Sequence, residues 1–246
     1  GSRVSLDALL PSPVRFLEGR LGRLRAPESL ARYEAYFEER GKAVSEAVDR
    51  AGTPKLRMFD RFGNRIDEVV FPPAYHELVR KAYEAGVVFR AVEESDLAAS
   101  YQIGYVTAFY DAGLYCPHTV SLSTAIPLAK YGSADLRAKY LGKLLKRDDT
   151  VWQGATWMTE ARGGSDLGAF VETVARPDGE RWRLTGEKSF TSNVGAELAI
   201  AAARPEGAPA GVRGLELFLV PQRRDDGALN FRVRRLKEKI GTRSVP

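Results

Sequence analysis

Two hydrophobic rhythms divide the chain. Between residues 29 and 49 apolar side chains recur at helical spacing, with Leu30, Tyr33, Phe37, Val44 and Val48 on one face. Ser29 is placed to cap that helix and Gly52 to stop it. The same spacing predicts four later helices over 74–85, 95–112, 117–131 and 133–146, and a short one over 14–24 between prolines. Pro117 suits a first helical turn, while Pro127 predicts a kink or split in the helix over 117–131. Ser133 caps the last, whose apolar face is Leu136, Tyr140, Leu141 and Leu144. Residues 53–73 read as short extended pieces around a Gly63-Asn64 turn. From Val151 the period drops to two. Strands are predicted over 151–159, 169–175, 180–185, 187–192, 197–203, 215–220 and 229–236, punctuated by glycines. The fold class is therefore α+β: an all-helical amino-terminal domain, 1–149, followed by a β-barrel-like middle domain, 150–246.

Composition narrows the picture. The longest apolar stretch, Leu198 to Ala203, is far short of the roughly 20 residues of a membrane span, so no membrane partner is expected. Cys116 is the only cysteine, which excludes an intrachain disulfide and fits a reducing, cytoplasmic setting. With two histidines besides, no ligand set for a metal is expected. The net charge of +5 equals the excess of eight basic over three acidic residues between Arg223 and Arg243. Such a stretch suits nucleic acid, CoA phosphates or an acidic neighbour, or a solvated strand face.

The chemistry concentrates in two stretches. Val151-Trp152-Gln153-Gly154-Ala155-Thr156-Trp157-Met158-Thr159-Glu160-Ala161-Arg162-Gly163-Gly164-Ser165-Asp166 is an apolar strand running into a glycine-rich loop. Adjacent glycines let backbone N–H groups turn toward one point, which suits a diphosphate, with Ser165 adding a hydroxyl. An ordinary turn after a strand fits the spacing as well. Trp182-Arg183-Leu184-Thr185-Gly186-Glu187-Lys188-Ser189-Phe190-Thr191-Ser192-Asn193 places an aromatic beside two hydroxyls. Trp152, Trp157 and Trp182 read as core of the β region.

Together with Arg235-Leu236-Lys237-Glu238-Lys239-Ile240-Gly241-Thr242-Arg243-Ser244, these stretches resemble the acyl-CoA dehydrogenase family, in the same order. Asn64-Arg65-Ile66-Asp67-Glu68-Val69-Val70-Phe71-Pro72-Pro73-Ala74-Tyr75-His76 and Cys116-Pro117-His118 resemble its AidB-like, adaptive-response branch.

The resemblance implies an FAD-dependent oxidoreductase that acts on the CH–CH group of an acyl thioester and passes hydride to flavin N5. Met158 and Thr159 would meet the flavin's pyrimidine edge. Gly164 and Ser165 would meet the diphosphate, and Ser165 also the acyl-CoA substrate. Phe190 stands where the family packs a tryptophan on the flavin; a core aromatic is the other reading. Thr191 and Ser192 would lie near N5, where a hydrogen bond favours reduced flavin. Glu160 belongs to the binding loop in this family, and His118 reads as a packing or capping histidine, a catalytic base being the other reading. The catalytic base is expected beyond Pro246, in a carboxy-terminal four-helix bundle that also forms a homotetramer. The 246 residues alone are then expected to be inactive. The alternative implied by the AidB-like branch is a weakly catalytic flavoprotein that binds DNA, through that same carboxy-terminal domain, or protects against alkylation damage.

Overall fold

The computed structural model describes residues 10–246. The helical part opens with α1 (Pro13–Leu21), capped by the Ser12 hydroxyl and ended at Gly22 with φ 66°. Helix α2 (Pro27–Tyr36) passes through a π turn (Phe37–Gly41) into α3 (Lys42–Ala51). Its start is three residues earlier than the Ser29 cap predicts, behind Ala26 at φ 44°; Ser29 is instead buried and accepts from Arg90 Nη2 at 2.9 Å. The predicted apolar face is otherwise in place. Leu30, Tyr33, Phe37 and Val48 are all buried.

The 53–73 segment forms a hairpin, β1 (Lys55–Phe59) and β2 (Arg65–Val70), antiparallel about the Gly63-Asn64 turn. Helix α4 (Pro73–Ala85) stops at Gly86, φ 98°. Then come the short α5 (Phe89–Val92), α6 (Leu97–Tyr110) with an Asp96 cap, and α7 (Tyr115–Tyr131). Pro127 does not split α7, which continues through it. The last helical stretch is α8 (Ala134–Leu136), a π turn (Arg137–Leu141) and α9 (Gly142–Leu144), capped by Ser133 as predicted. Tyr140 and Leu144 are buried there, but Leu136 remains 38% exposed.

The β region is an open five-stranded sheet, not a closed barrel. Its members are β3 (Gly154–Trp157), β4 (Val174–Asp178), β5 (Arg181–Thr185), β6 (Leu198–Pro205) and β7 (Glu216–Pro221), with a one-turn helix α10 (Leu167–Phe170) between β3 and β4. Strand β6 is central. On one edge it pairs antiparallel with β7. On the other it pairs parallel with β3 over Leu198–Ala201 and, further along, with β4 at Arg204 and Pro205. Alanines on β6 let neighbouring layers approach closely, and the strand is buried from Leu198 through Ala203.

Two of the predicted strands do not form. Residues 187–192 make a turn in which Phe190 and Asn193 both have positive φ, 51° and 59°. Residues 229–236 are irregular, with a single bridge from Leu229 to Arg223. Their alternation reflects burial against neighbours, not a ladder. Val233 is held by side chains instead: its N–H donates to Asp67 Oδ2 at 3.0 Å and its carbonyl accepts from Arg65 Nη2 at 3.1 Å. Arg65 Nε in turn sits 3.0 Å from both Asp67 oxygens.

The helical core runs from α1 to α9 and takes in Leu198 and Val245. A second core joins Ala155, Trp157, Ala199, Ala201 and Val233, with Leu56 and Val69 of the hairpin against it. Trp157 packs edge-on to Phe231 at 4.8 Å. Trp152 leans on the helical core, with Lys143 Nζ 4.1 Å from its ring centre. Trp182 departs from the core reading; it is 48% exposed and touches Phe218 on the outer side of the sheet.

The outer edge of β3 is closed by α7. Ser121 Oγ accepts from Gly154 N at 2.8 Å, and Thr124 Oγ1 donates to the Ala155 carbonyl at 2.9 Å. An unpaired strand edge inside a protein would leave Gly154 N, which faces away from β6, unsatisfied. Two hydroxyls on one helix face supply the partners, which welds the helical part to the sheet.

Candidate functional site

The site grows from the break in the sheet where β3 leaves β6 and β4 has not yet joined it. Residues 158–173 occupy that interval. Glu160 and Gly163 exchange backbone hydrogen bonds, 3.1 and 3.0 Å, and so close a tight turn. Gly163 has φ 150°. A Cβ on Gly164 would stand 2.3 Å from Thr159 Oγ1, so glycine is required for the loop to lie against that hydroxyl. Among the described residues no group accepts from the Gly164 or Ser165 N–H, and Ser165 is exposed.

Glu160 ties the loop down. It is buried, and its carboxylate accepts from Glu172 N (2.7 Å), Thr173 N (3.1 Å), Thr173 Oγ1 (2.5 Å) and Lys188 Nζ (2.6 Å). Burial alone would raise its pKa. The hydrogen bonds from Lys188, Thr173 and Glu172 outweigh burial and hold it below the ordinary 4.5. Both carboxylate oxygens are engaged, three donors on Oε1 and one on Oε2, so Glu160 is a structural anion and not a free base.

The second motif is brought alongside the first. Ser189 N donates to the Thr159 carbonyl at 2.9 Å, and Lys188 Nζ reaches the Met158 carbonyl at 3.3 Å besides Glu160. The turn that follows presents Phe190, 74% exposed. The core-aromatic reading of Phe190 is thereby excluded: the ring is turned away from the sheet. Thr191 and Ser192 are half-buried beside it, and Asn193 is buried, donating to the Gly154 carbonyl at 2.9 Å. Met158 and Thr159 are likewise half-buried.

The third motif closes on the second through Lys237, whose Nζ lies 3.3 Å from Ser192 Oγ. Sequence reasoning did not single out Lys237. Its position in the basic stretch hid it, because charge runs ordinarily mark solvated faces. That stretch is not a uniform strand face: Arg224 pairs with Asp226, Arg234 with Glu187 and Arg243 with Asp49, while Lys139 and Arg181 converge on Asp225.

His118 lies away from these loops, fully buried on α7. Its Nε2 is 3.2 Å from the Val79 carbonyl, and its ring meets Tyr83 edge-on at 5.3 Å. Burial pushes its pKa down to about 4, so the ring is neutral near pH 7 and packs. No metal-binding cluster of His, Cys, Asp and Glu occurs among the described residues, and no described helix is long and apolar enough to cross a membrane.

The chain is similar to several known proteins. Acyl-CoA dehydrogenase family member 11 of Caenorhabditis elegans is 32% identical across 94% of the chain, which covers 41% of that protein. Its structure in complex with C11-CoA superposes with a TM-score of 0.81 at 28% identity, over 96% of this chain and 43% of that one. The putative acyl-CoA dehydrogenase AidB of Escherichia coli is 30% identical over 78% of the chain and 37% of its own length. An FAD complex of PigA superposes at a TM-score of 0.51 and 26% identity, over 59% of this chain and 40% of that one. The chain thus spans less than half the length of these relatives. The model of the acyl-CoA dehydrogenase middle domain matches residues 155–246, and that of the adaptive response protein AidB N-terminal domain matches residues 16–149. The chain belongs to the AidB-like branch of the acyl-CoA dehydrogenase family.

Proposed function

We propose that this chain carries the flavin-holding part of an FAD-dependent acyl-CoA dehydrogenase. A helical domain, 1–149, precedes a middle domain, 150–246, and the proposed site residues all lie in the middle domain. The observation that carries the proposal is the convergence of three motifs distant in sequence. Ser189 hydrogen bonds to Thr159 and Lys237 to Ser192, with an exposed aromatic, Phe190, on the turn between them.

The residues fit the group. The free Gly164 and Ser165 N–H groups and the Ser165 hydroxyl suit a diphosphate. An exposed phenyl ring with no core partner suits stacking on a planar ring system. Met158 and Thr159 backbone groups suit the polar edge of such a ring, and the Thr191 and Ser192 hydroxyls suit its reacting centre. Bound FAD would supply hydride acceptance. The PigA complex with FAD and the worm protein's complex with C11-CoA support FAD as cofactor and an acyl-CoA as substrate here, and Ser165 is proposed to meet both.

The chain's own part is to bind, orient and exclude water. Glu160 and Lys188 fix the loop without taking part in proton transfer, and His118 is sealed in the helical core. We assign no catalytic base among these residues. The whole protein is proposed to work as a homotetramer in the cytoplasm.

The test is a visible absorption spectrum of the full-length protein, with cofactor identification after release, followed by titration with acyl-CoAs. Released FAD and bleaching of the flavin band by an acyl-CoA are expected. A colourless protein that takes up no FAD would refute the proposal.

A further inference from the structure

We infer that Lys237 is a positioning residue of the cofactor site, which fixes the Ser192 hydroxyl as a donor toward the bound flavin. This rests on the FAD reading above and goes beyond it, because it concerns a residue that neither loop contains.

An ammonium has three donors and no acceptor, so in the 3.3 Å contact between Lys237 Nζ and Ser192 Oγ the serine oxygen is the acceptor. A serine hydroxyl owns one proton. With its oxygen turned to Lys237, that proton is directed elsewhere, and no described group receives it. Ser192 is therefore left as a polarised, charge-assisted donor on the turn that presents Phe190.

Lys237 is not an ordinary surface lysine. No described carboxylate forms an ion pair with it, and it is half-buried near Cys116 on the first turn of α7. Burial lowers its pKa, and the Cys116 side chain opposes that shift. A cation without a counter-charge, held in a partly dry place, interacts most strongly with whatever negative charge enters beside it. Its backbone is anchored four residues upstream, where Asp67 and Arg65 take both the N–H and the carbonyl of Val233. The hairpin thus sets the path of the segment that carries the ammonium.

The consequence is a bias toward reduced flavin, which gains electron density where Ser192 donates. In the full-length protein, Lys237→Met is expected to lower the equilibrium constant for flavin reduction about tenfold. That is a fall of about 30 mV for a two-electron couple, read by dye-linked spectroscopic titration. Lys237→Arg, which keeps charge and donor, should recover most of it. In a Ser192→Ala background the Lys237→Met change should add little, because the group through which it acts is gone.

An unchanged potential in Lys237→Met with stoichiometric flavin overturns the inference and leaves the FAD reading intact. Equal shifts in the wild-type and Ser192→Ala backgrounds overturn the route through Ser192. If Lys237→Met does not fold, Lys237→Gln supplies the same comparison: a wild-type potential overturns the inference, and a lowered one supports it. A wild-type protein that holds no flavin overturns both readings together.

Discussion

Glu160 Oε1 lies 2.6 Å from Lys188 Nζ, an ion pair closed across the two loops that frame the site. Both side chains are largely withdrawn from water, so removing one charge strands the other. Glu160→Gln is expected to cost about 3–5 kcal/mol, measured by urea unfolding of the full-length protein. The apolar double replacement Glu160→Leu with Lys188→Met should not restore stability, because the Glu172 and Thr173 amides lose their acceptor as well. Full recovery in the double variant would show that the carboxylate's hold on those amides matters little. The pair also sets an acid limit. The folded pKa of Glu160 is depressed, so its contribution is complete above the ordinary 4.5 and is lost as pH falls through the lower folded value.

The glycine loop makes a sterically sharp prediction. Gly164→Val places carbon where Thr159 Oγ1 already stands, 2.3 Å from the new Cβ. Thr159 and the loop must part, and flavin should be absent from the purified variant by its visible spectrum. Tight FAD retention by Gly164→Val would remove this loop from the cofactor site.

Phe190 separates packing from recognition. At 74% exposure it contributes little to the fold, so Phe190→Ala should change the stability of the flavin-free protein by no more than about 0.5 kcal/mol. Flavin affinity should fall by at least tenfold, followed by fluorescence on titration with FAD. A large stability loss with unchanged affinity would return Phe190 to the core.

His118 should behave as a buried neutral ring. Its folded pKa of about 4 lies below the ordinary 6.5. Above that ordinary value both states are neutral and the effect is flat. As pH falls from 6.5 toward 4 the unfolded chain takes the proton first, and stability drops by about 3 kcal/mol in all. Removing this ring with His118→Phe should flatten that part of the stability–pH curve. In turn, the pH profile of activity should show no ionisation that disappears with the ring.

Much of this was legible in the residues. Helical spacing located the main helices, because an amphipathic stripe is written directly into the sequence. Gly63-Asn64 marked the hairpin. The three motifs meet at the Ser189–Thr159 and Lys237–Ser192 hydrogen bonds. What the pattern could not convey was partnership. Alternation over 187–192 and 229–236 looks like strand, yet positive φ at Phe190 and Asn193 turns the first, and the Asp67–Arg65 clasp takes the place of a ladder in the second. Asp166 caps α10, and that helical turn takes the first two residues of the strand predicted over 169–175, because a short polar side chain satisfies the free N–H groups there. The π turns at 37–41 and 137–141 left no periodic signature that a helical reading would miss. Lys237 was invisible because its neighbour, Ser192, lies 45 positions away.

The divided edge of β6 has a consequence for how such a protein diversifies. One rail carries two successive tenants, β3 at Leu198–Ala201 and β4 at Arg204–Pro205, and the loop between them departs from and returns to that same rail. Its two ends are registered independently of its length. Residues inserted or deleted between Ala161 and Val171 therefore leave both strand pairings in place. The middle of the loop returns to the same rail as well, since Arg204 Nη2 on β6 donates to the Gly168 carbonyl at 3.0 Å, so one strand holds the loop at both ends and at its turn.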